Sequence, residues 1–157
     1  MSTLSPVLAL LRAAHFLHQS THWTVRGSNF FADHQLFDLL YNALPEEIDT
    51  LAEKMVNQAG EDSVNPATQV AMMHQSLGFW LLHPDPIQRA IQIERDIQEA
   101  VVAARKSMSE QGLLTVGLDN FLAGLADSHE KALYLLGQRS KTAHYLVQKV
   151  ASRYLGR

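Results

Sequence analysis

The sequence predicts an all-α protein, a four-helix bundle with one long crossover between its second and third long helices. Three observations predict it. Apolar residues recur at helical spacing over four long stretches. A capping residue precedes proline three times, at Ser5-Pro6, Asn65-Pro66 and Asp85-Pro86. Each side chain can accept from a free helical N–H, and proline loses nothing where its own N–H would go unpaired. Glycine and proline number only 8 and 5, and the turn-rich spacing of short strands is missing.

The elements follow in order. Helix α1 is expected over residues 6–26, with Val7, Leu10, Leu11, Ala14, Leu17, Thr21 and Val25 forming its core stripe. Phe16 and Trp23 lie seven apart on its opposite face, which suggests a subunit contact. Helix α2 is expected over 30–59, its core face built by Phe37, Leu40, Leu44, Ile48, Leu51 and Met55. Pro45 falls within it and removes one backbone hydrogen bond, so a kink or break is expected there. A short connecting helix, α3, is expected over 66–76, followed by the apolar run Gly78-Phe79-Trp80-Leu81-Leu82, a second candidate contact. Helices α4 and α5 are expected over 86–111 and 116–139. Glycines 27, 60, 78 and 112 supply the stops. Beyond Ser140, Ala143, Leu146, Val147, Val150 and Tyr154 keep helical spacing, so a further C-terminal helix is plausible.

Composition narrows the function. A chain of 157 residues with 46% hydrophobic residues suits one domain and excludes disorder. The absence of cysteine excludes disulfide scaffolds, thiolate metal sites and thiol catalysis. No apolar run is long enough to span a membrane, and the N-terminus has no charged segment leading to a cleavage site, so the cytoplasm is the expected compartment. The charge is lopsided. Residues 1–130 carry 7 basic and 16 acidic side chains, whereas residues 131–157 carry 6 basic and none acidic.

The chemistry concentrates on α2. His34 and Asp38 are four apart, as are Asp49 and Glu53, and all four share one stripe beside the core face. Asp38 and Asp49 stand eleven residues apart, about 16 Å along a helix. Metal–ligand bonds are roughly 2 Å, so one helix cannot bring both pairs to one ion. Two α2 helices antiparallel about a two-fold axis near residue 44 would bring them together, making two equivalent sites per dimer. His22, just before the Gly27 turn, is available as a further nitrogen ligand. Imidazole and carboxylate together suit iron, and would also suit zinc or manganese.

At these positions the chain resembles a known family. His22-Trp23-x-x-x-Gly27-x-x-Phe30, then His34-x-x-x-Asp38, then Asp49-x-x-x-Glu53, is similar to the ferroxidase motif of Dps proteins, the mini-ferritins of the ferritin-like superfamily. The resemblance covers α1 and α2 closely and the later helices in length and order. It implies a hollow homo-dodecamer that oxidises Fe(II), preferably with hydrogen peroxide, at di-iron sites between subunits and stores the ferric mineral, protecting DNA from oxidative damage. It implies His22, His34 and Asp38 as ligands from one chain and Asp49 and Glu53 from the other. Trp23 would sit beside the iron as a radical sink, although interface packing alone would also explain it.

The nearest competitors fail on residues. Di-iron sites inside one bundle need Glu-x-x-His pairs, and no histidine here has a glutamate three positions before it. Zinc proteases need His-Glu-x-x-His, and His129-Glu130 is followed by Lys131, Ala132 and Leu133. Glu94 does fall within the apolar arc of α4, where a buried ligand is conceivable. His129, between Leu125 and Leu133, reads as a hydrogen-bonded core histidine. His15 and His18 read as packing residues, with auxiliary iron binding the alternative. DNA is a further candidate partner. The first five residues carry no charge, but Arg139, Lys141, Lys149, Arg153 and Arg157 could contact phosphates, twelve times over in a cage. The alternative is a nucleoid-associated DNA-binding protein whose metal site is secondary.

Overall fold

The computed structural model describes residues 2–140. Among them are α1 (Ser5–Thr24), α2 (Phe30–Ala59), a 3-10 turn (Glu61–Val64), α3 (Pro66–Trp80), α4 (Pro86–Glu110) and α5 (Val116–Arg139), with no strand. The four long helices make the expected bundle, and α3 lies in the crossover. Helix α1 packs against α2, α3 and α4, and α4 packs against α5. The expected C-terminal helix and most of the basic tail fall outside the described residues.

Local chemistry explains most helix boundaries. Asn65 accepts from the Thr68 amide and Asp85 from the amides of Ile87 and Gln88, so both act as caps. Gly27, Gly60 and Gly112 take positive φ values of 94°, 78° and 69°, where a side chain would be strained. Two expectations fail. Ser5 does not cap α1: Leu4 holds that position, while the Ser5 hydroxyl donates to the Ser63 carbonyl at 3.3 Å and ties α1 to the 3-10 turn. Gly78 does not stop α3, which runs on to Trp80. Trp80 is therefore no exposed contact. It is buried, and its indole N–H donates to Asp96 Oδ2 at 2.6 Å. Burying so large a ring outweighs the roughly 1 kcal/mol cost of one helical glycine. Phe79, Leu81 and Leu82 beside it are exposed, as are Phe16 and Trp23.

Helix α2 is continuous through Pro45, which stands exposed and does not break it. The expected core face of α2 therefore holds, with Phe37, Leu40, Leu44, Leu51 and Met55 buried and Ile48 partly buried. The core falls into two apolar groups. One joins Leu17, Leu44, Leu51, Ile97, Leu122 and Leu125, and the other joins Val25, Phe37, Leu40, Ile91, Leu133 and Leu136. Beside the second group, Arg139 at the end of α5 grips buried Asp33 through both carboxylate oxygens, at 2.5 and 3.0 Å. That fork holds the first turn of α2 in place, one residue before His34. Arg139, one of the residues expected to contact phosphates, is thus engaged with Asp33.

Candidate metal centre

Two of the expected ligands, His22 and His34, meet across the α1–α2 turn. The Nδ1 of His22 donates to the carbonyl of His34, and the Nδ1 of His34 donates to the carbonyl of His22, both at 2.9 Å. The two rings stack, with centroids 3.7 Å apart and planes 21° apart. A carbonyl only accepts, so each Nδ1 must carry the proton. In the neutral ring that leaves Nε2 with a free lone pair, the form in which imidazole binds metals, and it fixes each ring's orientation. Phe30 stacks on the outer face of His34, with centroids 5.2 Å apart. The positive φ of Gly27 permits the tight turn that brings the two histidines together.

Asp38 lies one turn beyond His34 on α2. Tyr41 connects it to the histidines, because its hydroxyl donates to Asp38 Oδ1 at 3.2 Å while its ring stands edge-on to His22 at 5.3 Å. Sequence reasoning passed over Tyr41, although its offset of three from Asp38 was the available signal. His22, His34 and Asp38 are all half-buried, at the rim of the bundle. Asp49 and Glu53 are exposed further along the continuous α2 and do not join them. Among the described residues no three His, Asp or Glu side chains form a metal-holding group within one chain. Trp23 is 67% exposed beside His22.

A second polar cluster lies where the two apolar groups meet, with one residue from each long helix. Buried Glu94 accepts from His18 Nε2 at 3.1 Å and from His129 Nδ1 at 2.5 Å. The other nitrogen of His129 lies 3.3 Å from Glu47 Oε2, out of line for a good hydrogen bond, and Ser128 donates to Glu47 Oε1 at 2.7 Å. Burial alone would raise the Glu94 carboxyl, but the His129 charge and the hydrogen bonds from His129 and His18 hold it down at about 2. Burial alone would lower His129, but the Glu94 charge, the nearby Glu47 carboxylate and the hydrogen bond to Glu94 push it up to about 10. The cluster is thus an imidazolium between carboxylates. Its groups run in a chain, His18 to Glu94 to His129 to Glu47, rather than converging on one point. His129 and His18 are core residues, as expected, and a cavity of about 480 Å³ between α2 and α5 reaches the cluster from beside Asp38.

Comparison with known proteins gives partial likenesses. The chain is 27% identical over 121 residues to an uncharacterized low temperature-induced protein of Nostoc sp., and equally to its homolog in Anabaena variabilis. That match covers 73% of this chain, and the chain spans 65% of the length of those relatives. A shorter stretch of 39 residues, 25% of the chain, is 46% identical to a DNA protection during starvation protein of Brevibacillus brevis and covers 26% of it. No protein-family model matches the chain, and no solved structure matches it. No helix among the described residues is long and apolar enough to cross a membrane.

Proposed function

We propose that this chain is the subunit of a Dps-type mini-ferritin, a dodecameric ferroxidase that takes Fe(II) as substrate and stores the ferric product inside the cage. The reciprocal lock between His22 and His34 is the observation that carries the reading. Two imidazoles are held with both Nδ1 protons committed to backbone carbonyls. A core histidine pair would have no need to keep both Nε2 atoms free at a half-buried rim. The motif offsets, the all-helical bundle and the short likeness to a DNA protection during starvation protein support the same reading.

The chemistry follows from the donors. His22, His34 and Asp38 bind Fe(II) on one side of a two-fold interface, and Asp49 and Glu53 of the partner subunit complete the site. Exposed Phe16, Trp23 and Phe31 on α1 and α2 are apolar surface that such an interface would cover. Each site binds two Fe(II). Two one-electron oxidations reduce one peroxide: two Fe(II), one hydrogen peroxide and two waters give two FeO(OH) and four protons. Pairing the electrons avoids release of hydroxyl radical, and the protons leave to solvent. The compartment expected for this activity is the cytoplasm.

Subunit mixing tests the shared site. A His34→Ala/Asp38→Ala variant and an Asp49→Ala/Glu53→Ala variant each leave only half-sites and should oxidise iron poorly. Random co-assembly makes about half the dimers mixed, each with one intact site of two, so about a quarter of the sites should return. Refolded mixtures no faster than the separate variants would show that the ligands do not pair across subunits.

A further inference from the structure

We propose that Tyr41 is the positioning residue of this site, making Asp38 a one-oxygen ligand and so biasing the site toward transition-metal ions over calcium. The inference rests on the ferroxidase reading and goes a step beyond it. The Tyr41 hydroxyl donates to Asp38 Oδ1 at 3.2 Å, which engages one of the two carboxylate oxygens. The phenol itself is held in place. Its ring stands edge-on to His22 at 5.3 Å and to His15 at 6.0 Å, both on α1. One side chain therefore fixes a nitrogen ligand by ring packing and an oxygen ligand by hydrogen bonding.

The consequence is selectivity. Calcium takes six to eight oxygen ligands and readily uses both oxygens of a carboxylate. Iron, cobalt and zinc accept imidazole nitrogen with fewer ligands at shorter range. A carboxylate with one oxygen tied to a phenol, one helical turn from a fixed imidazole, favours the second group. Removal of such outer partners typically costs about 10- to 100-fold in metal affinity.

Cobalt(II) serves as the probe, because its visible absorption reports coordination. The assembled protein should bind it, and His34→Ala should abolish the signal. Tyr41→Phe keeps the ring and removes only the hydroxyl. It should lower cobalt affinity about 10-fold or more, shift the visible spectrum toward that of a higher-coordinate ion, and let calcium compete at least about 10-fold better. The melting temperature should not move, which separates positioning from a structural role. Unchanged affinity, spectrum and calcium competition in Tyr41→Phe would overturn the inference and leave the metal site standing. Cobalt binding indifferent to His34→Ala would instead overturn the site reading, and this inference with it.

Discussion

Replacing Glu94 by glutamine tests the ionic centre of the bundle. Glutamine keeps the shape and removes the charge that holds the His129 imidazolium in a site only 4% exposed. His129 is raised from 6.5 to about 10, which at about 1.4 kcal/mol per pKa unit corresponds to roughly 5 kcal/mol. Glu94 is lowered from 4.5 to about 2, or roughly 3 kcal/mol by the same conversion. The two figures describe one shared interaction and do not add. Both agree with the loss of about 3–5 kcal/mol found when one partner of a buried pair is removed. At about 2–4 °C per kcal/mol for a chain of this size, the melting temperature should fall by about 10 °C.

The pH dependence gives a second reading of the same variant. The Glu94 contribution is complete above 4.5, its unfolded value, and is lost as pH falls toward about 2. The His129 contribution is complete below 6.5 and is lost as pH rises through about 10. Wild-type protein should therefore lose stability at both ends, and Glu94→Gln should flatten both limbs. Thermal unfolding followed by far-UV circular dichroism, at fixed protein concentration because the proposed assembly would contribute to stability, measures both effects. A variant melting within about 2 °C of wild type near neutral pH, with unchanged acid and alkaline limbs, would refute the ionic reading.

Other outcomes follow from the same structure. Native mass spectrometry should show a particle of about 210 kDa, twelve chains of 17.5 kDa; a stable monomer or a 24-subunit particle would contradict the proposed cage. Gly27→Ala places a side chain at φ 94°, and should cost about 1 kcal/mol of stability while slowing Fe(II) oxidation by shifting His34 against His22. An iron oxidation rate equal to wild type would mean that the turn does not set the ligand geometry. Trp80→Phe removes the donor to Asp96 and should destabilise the fold by about 1.5–3 kcal/mol, read from denaturant unfolding. Deletion of residues 141–157 should destabilise the assembly more than it changes DNA retention in a gel. A truncated cage of unchanged melting temperature that loses DNA at low salt would favour the nucleoid-associated alternative.

What the sequence makes legible is what depends on near neighbours. The caps at Asn65 and Asp85 are legible because each side chain bonds an amide two or three residues on. The same rule fails at Ser5, whose hydroxyl bonds to Ser63, 58 residues away. It fails again at Gly78, where the burial of Trp80 against α4 carries the helix past its expected stop. The candidate metal centre is legible for the same reason as the caps. Its histidines lie 12 residues apart across one tight turn, and Asp38 is a single helical turn from His34. The ionic centre is not legible as a unit, because its four members come from four helices and the Glu94–His18 contact alone spans 76 residues. Each looks like one polar residue on an apolar arc, and only the packed bundle shows that the four meet. The two clusters therefore answer to different forces. The ionic one is held by packing within a chain and should be felt chiefly in stability. The histidine pair is built from local geometry at an open rim, so it can offer ligands outward without disturbing the core.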